Sequence, residues 1–151
     1  MKKISTLVLA FGLTMASSIL AAEVNYHLIN TIPIGGDGGW DYASVDSAAQ
    51  RLYVSHGNQV VVIDLAKDIV VGEITNTPGV HGLAPAPELN RGMVTCGREN
   101  KAAIVDLKTL QIIAKADTGA NPDGMLYEPG RQEFYTFNGR GQSATVIDAK
   151  T

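Results

Sequence analysis

The sequence is short of cysteine and of charge, and each shortage excludes a class of protein. One cysteine among 151 residues rules out an internal disulfide and a cysteine-rich zinc site. Only 18% of the residues are charged, and the formal net charge of −3 has the wrong sign for an evident nucleic-acid-binding protein. Hydrophobic residues nevertheless make up 45% of the chain, which is too many for an intrinsically disordered protein. The sequence therefore indicates a folded domain.

The motifs of two common hydrolase classes are also missing. The sequence contains no H-E-x-x-H metalloprotease motif and no serine-hydrolase elbow of the G-x-S-x-G type. A glycine-rich run at 35–39 follows a predicted strand but leads into another strand. Because a phosphate-binding loop needs a helix N-terminus after the glycines, we interpret this run as a flexible connection.

The first 22 residues have the layout of a secretory signal peptide. Lys2 and Lys3 give a basic start, an apolar stretch follows from Ile4 to Ala16, and small residues continue to Ala22. The apolar stretch contains polar residues and is short for a membrane span of about 20 residues, which argues against a membrane anchor. Cleavage after Ala22 would remove both lysines and change the net charge from −3 to −5. We expect residues 1–22 to be a signal peptide and the protein to be periplasmic or secreted.

The rest of the chain repeats with a period near 42 residues. Asp64, Asp106 and Asp148 each end a run rich in β-branched residues, and successive aspartates are 42 positions apart. A second landmark lies upstream of each run: Tyr53–Gly57, Met93–Gly97 and Tyr135–Gly139. These landmarks are 40 and 42 positions apart, because the turn that follows the first of them is two residues shorter. A period of this length with about four short strands is typical of β-propeller blades.

The landmark YVSHG at 53–57 and its two relatives resemble the YVTN repeat of YncE-like β-propellers, which are exported bacterial proteins. The resemblance covers residues 26–151 and implies an all-β fold built from four-stranded antiparallel blades of about 42 residues. The expected blades are 41–74, 81–116 and 123–151, the last of them incomplete. The segment 26–34 is predicted to be a strand, and in this family such a strand completes the last blade and closes the ring.

Three incomplete blades do not close a propeller. The seven blades that are usual in this family would need about 290 residues. We therefore expect this chain to be the N-terminal part of a longer protein, whose remaining blades close the ring. The alternative is a natural short chain that assembles its ring from several copies.

Repeat positions that differ between blades are the better functional candidates, because a residue kept in every blade serves the shared fold. On this basis the three repeated aspartates are structural. The start of the innermost strand and the end of its antiparallel neighbour lie on one face of the disc, where the channel opens. The candidate ligand-binding residues on this face are Trp40, Asp41, His56, His81, Arg98, Asp123, Asn138 and Arg140.

Several kinds of ligand are compatible with these residues. His56, His81, Asp41 and Asp123 carry imidazole and carboxylate groups that suit zinc or copper, although they have no diagnostic spacing. Two arginines in the set suit an anionic group, which a guanidinium can hold with two hydrogen bonds. The plainer interpretation is a polar rim of ordinary turn hydrogen bonds. Cys96 lies on the same face, and we interpret it as an inert residue inside its blade because no base is evident beside it.

These observations predict an exported YncE-like propeller that acts as a binding or scaffold module, with a ligand site at the channel mouth. The alternative is a propeller enzyme, either a lactone hydrolase or a quinoprotein-type oxidoreductase, which would need the two histidines and two aspartates above to converge. A third hypothesis is a structural protein whose open blade edges pair between copies. The partner is predicted to be a small molecule or a protein rather than a nucleic acid. The sequence leaves the cofactor and the metal open, and it predicts no catalytic residue.

Overall fold

The computed structural model describes residues 25–151, which form an all-β structure. The predicted signal peptide at 1–22 lies outside the described residues. Eleven strands form three antiparallel sheets, and a single 3-10 turn at Pro87–Leu89 is the one helical element of residues 25–151. Within this range no helix is long and apolar enough to cross a membrane.

The sheets follow one another along the chain, and we number them as blades one to three. Blade one contains β1 (Trp40–Asp46), β2 (Arg51–His56), β3 (Gln59–Asp64) and β4 (Ile69–Ile74), in that order. Blade two contains β5 (Val80–Ala86), β6 (Arg91–Cys96), β7 (Lys101–Asp106) and β8 (Ile112–Asp117). Blade three contains β9 (Pro122–Glu128), β10 (Glu133–Asn138) and β11 (Ser143–Asp148). The predicted fold of antiparallel blades, of which the third is incomplete, is confirmed.

The repeated aspartates end the third strand of each blade by bonding the turn that follows. The Asp64 carboxylate accepts hydrogen bonds from the Ala66 and Lys67 backbone N–H groups at 2.9 and 3.1 Å. Asp106 does the same for the backbone N–H groups two and three residues further on, at 2.9 and 2.8 Å. The bond from the Thr109 N–H lowers the pKa of the Asp106 carboxyl below its ordinary value. The structural interpretation of these aspartates is therefore confirmed.

Blades one and two each bury one face of their inner three strands against the blade that follows. In blade one this face carries the register row Ser44–Tyr53–Val62, and in blade two it carries Ala84–Met93–Ile104. The large side chains of both rows are buried, those of blade one by blade two and those of blade two by blade three. Because the rows are separated by the repeat period, the same contact is made twice with different side chains.

Blade three presents the corresponding row to solvent. Leu126, Tyr135 and Val146 lie in register across β9, β10 and β11, and each is 42 positions after its counterpart in blade two. No sheet of the described residues covers this row, and Val146 is 54% exposed. The outward face of blade three is therefore an open apolar surface with the geometry of a blade contact.

The segment 26–34 is not a strand in the structure, although the sequence predicts one there. Most of it is exposed, and its one side-chain bond to a blade joins the Asn30 amide to the Asp68 carboxylate at 2.9 Å. A strand needs a neighbour that shares its ladder of hydrogen bonds, and no strand within residues 25–151 pairs with this segment. Its proposed part in closing a ring stays a prediction.

Candidate functional site

A cleft of about 540 Å³ opens on the face of the blades where the innermost strands β1 and β5 begin. It is lined by Asp37, Gly38, Gly39, Trp40, Asp41, Gly57, Asn58, Gly79, Val80, His81, Arg98, Asn121 and Arg140. Five of the eight candidate residues are in this lining, and they come from all three blades. The remaining three are Asp123, which lies just outside the lining, and the buried pair His56 and Asn138.

One histidine joins the starts of the three innermost strands. His81 Nδ1 lies 2.8 Å from Asp41 Oδ2 and 3.9 Å from Asp123 Oδ1. These three residues occupy equivalent positions of blades one, two and three, so a single imidazole links all three blades. The short contact with the Asp41 carboxylate fixes the orientation of the ring. A carboxylate–imidazole pair of this kind can accept or donate a proton to a bound molecule.

His56 belongs to a different environment from His81. It is buried at the end of β2, where its Nδ1 lies 3.3 Å from the Gly39 carbonyl oxygen. Its ring stacks on Trp40, with the ring centroids 3.9 Å apart and the planes 11° from parallel. The enzyme alternative needs four residues to converge, and the structure brings together only Asp41, His81 and Asp123.

The geometry forms no metal centre from the candidate ligands. Within residues 25–151, no group of three or more histidine, cysteine, aspartate or glutamate side chains is arranged to hold a metal ion. His56 has its contacts with Trp40 and the Gly39 carbonyl oxygen, whereas His81 contacts Asp41. We therefore propose no metal site.

The cleft lies over the shortened turn of blade one. In blades two and three the turn after the second strand carries Arg98 and Arg140, 42 positions apart, and their backbone N–H groups bond the Pro78 and Ala120 carbonyl oxygens at 3.3 and 3.2 Å. Blade one has only Gly57 and Asn58 at this place. The missing residues leave room that the cleft occupies.

Close backbone packing at the short turn requires glycine. A Cβ on Gly38 would lie 2.8 Å from the Gly57 Cα, and the φ of Gly38 is +124°. The glycine-rich run at 35–39 thus lies directly on the turn of blade one and forms one wall of the cleft. This is the connecting role that the sequence predicts for the run.

The two arginines reach the cleft without a carboxylate partner. Arg98 is positioned by its stem, which lies against Gly79, and by a 3.3 Å hydrogen bond from Nη1 to Asn58 Oδ1. Within residues 25–151 neither Arg98 nor Arg140 forms an ion pair. Two guanidinium groups in one cleft are therefore available to an anion.

Asn138 is held by its own blade and does not line this cleft. Its amide Nδ2 donates to Ser143 Oγ and Thr145 Oγ1 at 3.1 and 3.0 Å, and its Oδ1 accepts from Thr136 Oγ1 at 2.9 Å. The side chain is buried, and all three of these hydrogen bonds are to residues of blade three. These contacts give Asn138 a structural role.

Cys96 occupies the equivalent position of blade two and is also buried. Burial raises the pKa of its thiol to about 11. Because the thiolate is the reactive form, this environment makes Cys96 unreactive, as the sequence predicts.

The protection of Cys96 predicts slow alkylation of the folded chain. Iodoacetamide near pH 8 should modify Cys96 at least about a hundredfold more slowly in buffer than in concentrated urea, because both access and thiolate formation are suppressed. Mass spectrometry of timed samples measures the two rates. Equal rates would mean that Cys96 is exposed.

Sequence reasoning missed the asparagines that connect the blades at the cleft. Asn58 Oδ1 accepts a hydrogen bond from the Gly79 backbone N–H at 3.1 Å, and Asn100 Oδ1 accepts one from the Asn121 N–H at 2.8 Å. Asn58 and Asn100 are 42 positions apart, as are Gly79 and Asn121. The 42-residue spacing of these asparagines could have revealed them. It appears when the repeats are aligned on the aspartates that end the third strands, because Asn58 and Asn100 each lie six residues before such an aspartate.

Comparison with known proteins places the chain among propellers. No protein-family model matches it. It is 28% identical over 114 residues to the uncharacterized protein YncE of Salmonella typhi, and 27% identical over 114 residues to YncE of Salmonella typhimurium. Over these residues the chain is similar to YncE. Each match covers 72% of the chain and 32% of the relative, so the YncE-like chain spans about a third of the length of these curated relatives.

Solved structures agree with this assignment at the level of fold. The YncE-like chain resembles the β-propeller domain of Cps50 (Swd1) from Myceliophteria thermophila, with a TM-score of 0.64 and 14% identity over 77% of this chain and 37% of that one. It also resembles hydrazine synthase from Kuenenia stuttgartiensis, with a TM-score of 0.62 and 21% identity over 66% of this chain and 29% of that one. The predicted resemblance to the YncE-like propeller family is confirmed.

Proposed function

We propose that the YncE-like chain is a binding module whose cleft at the channel mouth holds a small molecule. The observation that carries this proposal is the convergence of side chains from three blades on one cleft of about 540 Å³. Pockets of roughly 300–1,000 Å³ with a few convergent polar groups are the usual form of small-molecule sites.

The plainer interpretation of this face is a polar rim, and two features argue against it. A polar residue of the rim needs no ligand when its side chain forms hydrogen bonds within the protein, as Asn58 and Asn138 do. Arg140 makes no such side-chain bond within the described residues, and 56% of the Trp40 surface is exposed at the cleft. Both side chains line the cleft and are free to contact a molecule bound there.

We place this binding function in the periplasm or outside the cell. The layout of residues 1–22 supports this placement, because a basic start, an apolar stretch and a small-residue end are the marks of a secretory signal peptide. The mass of the chain recovered from a periplasmic extract tests it. A chain that keeps residues 1–22 and stays in the cytoplasm would contradict it.

Filling the cleft tests the binding function. Trp40 is the only tryptophan of the chain, so its emission reports on the cleft alone. A panel of small carboxylates, amines, sugars and amino acids should contain at least one compound that changes this emission saturably. Gly39→Leu should weaken that binding at least about tenfold, because Gly39 lines the cleft and a Cβ there meets no other atom within 4 Å.

The matched control adds the same side chain away from the cleft. Ala66 lies in the exposed turn between β3 and β4, and Ala66→Leu should leave the affinity unchanged. Failure of every compound in the panel would refute a small-molecule function. Unchanged binding in Gly39→Leu would place the bound molecule elsewhere.

A further inference from the structure

The cleft lining carries two carboxylates, Asp37 and Asp41, and two guanidinium groups, and these are not paired with one another. Asp41 is hydrogen-bonded to the His81 imidazole at 2.8 Å. Arg98 has its only side-chain hydrogen bond to a neutral amide oxygen, and Arg140 has none within residues 25–151. Neither guanidinium group therefore has a carboxylate within ion-pair distance in this part of the chain.

The two guanidinium groups are presented by equivalent turns. Gly97 and Gly139 precede the arginines, and their backbone N–H groups bond Gly79 and Asn121 carbonyl oxygens at 2.9 Å in both blades. The backbone of each arginine is thereby fixed before any ligand arrives. These turns place both arginine side chains in the cleft lining, where a guanidinium group can hold a carboxylate with two hydrogen bonds.

A flat apolar surface lies in the same cleft. Trp40 is fixed by its stack on His56, which is itself buried and lies 3.3 Å from the Gly39 carbonyl oxygen through Nδ1. More than half of the Trp40 surface remains exposed. An aromatic ring that lies on a rigid indole gains favourable stacking together with burial of apolar area.

We propose that the cleft binds a small planar aromatic carboxylate, with its ring on Trp40 and its carboxylate on Arg98 and Arg140. This assignment rests on the proposed binding function and specifies the class of ligand. It uses three features of the lining: the exposed side of Trp40 and two guanidinium groups that have no carboxylate partner within residues 25–151.

The test uses three probes that share a phenyl ring and carry a negative, a neutral and a positive substituent: benzoate, benzyl alcohol and benzylamine. The purified chain, labelled with nitrogen-15, gives a single indole N–H signal in its NMR spectrum, because Trp40 is the only tryptophan. Benzoate should shift this signal saturably, with a dissociation constant at least about tenfold below that of either other probe. A dispersed backbone spectrum of each variant verifies that it is folded.

Substitution of the arginines identifies the anion-binding groups. Arg98→Gln and Arg140→Gln should each raise the dissociation constant for benzoate about tenfold and leave that for benzyl alcohol unchanged. Arg91→Gln removes the same charge at the opposite end of β6, outside the cleft lining, and should have no effect.

Two outcomes would overturn the assignment. One is a benzoate affinity no higher than that of the neutral probe, and the other is an affinity that survives both glutamine substitutions. If other compounds still bind in a manner sensitive to Gly39→Leu, the binding function stands and only the ligand class is wrong. If no compound of the panel binds, the function itself fails.

Discussion

Phe134→Ala should lower the free energy of unfolding by about 3–5 kcal/mol. Phe134 is fully buried in the contact between blades two and three, where it belongs to a cluster with Met93 and Ile104. Its ring also packs against that of Tyr127, with centroids 5.1 Å apart. Removal of the ring leaves a cavity between two sheets. The hydrogen bonds within each sheet hold its backbone in place, so the sheets cannot move together to fill that cavity.

The same strand supplies a control for this effect. Phe137 lies three residues further along β10 on the open face and is 48% exposed. Phe137→Ala should cost less than about 1 kcal/mol, since most of its surface is never removed from water. Urea unfolding followed by circular dichroism measures both variants. Similar losses from the two substitutions would contradict the assignment of the blade interface.

A milder variant covers the case in which Phe134→Ala does not fold. A domain with a total stability of about 5–15 kcal/mol can lose most of it in one such substitution. Phe134→Leu keeps most of the buried volume and should cost only about 1–1.5 kcal/mol. A graded loss along this series supports the buried position of the ring, whereas no loss in either variant refutes it.

Asn138→Ala should cost about 2–3 kcal/mol and leave the cleft unaffected. The substitution removes three hydrogen bonds inside blade three and leaves the buried Thr136 hydroxyl without its partner. A buried polar group without a partner loses its hydration without compensation. The loss is therefore one of stability, which urea unfolding measures.

Comparison with Arg140→Gln separates structural from binding residues. Asn138→Ala should change stability but not the affinity for benzoate, and Arg140→Gln should change affinity but stability by less than about 0.5 kcal/mol. Both residues were candidates for the same site from sequence. The opposite pattern would return Asn138 to the binding site and remove Arg140 from it.

The fold could be predicted because its signals are local and repeated. Runs such as QVVVID at 59–64, each ended by an aspartate, recur every 42 residues and define strand, turn and blade together. The segment 26–34 has the composition of a strand but is not one within the described residues. Its state depends on a pairing partner, which no local pattern contains.

The candidate residues came from two repeat positions, the start of the innermost strand and the end of the second strand, and the structure treats these two positions differently. At the starts of the innermost strands, Asp41 and Asp123 both lie within 4 Å of His81. His56 and Asn138, at the ends of the second strands, are buried inside their blades, as is Cys96. A repeat position can differ between blades because its side chain binds a ligand or because it packs differently inside the blade. The sequence does not show whether the side chain points into the blade or toward the cleft, so it cannot separate these two causes.

The two-residue deletion in the turn of blade one has a consequence for stoichiometry. A ring of identical repeats offers a ligand as many equivalent places as it has blades, with nothing to select among them. The short turn breaks that equivalence, because among the three blades of residues 25–151 it is at Gly57 and Asn58 that the turn is shortened and the cleft is found. The expected occupancy is therefore one molecule per chain, bound in one orientation.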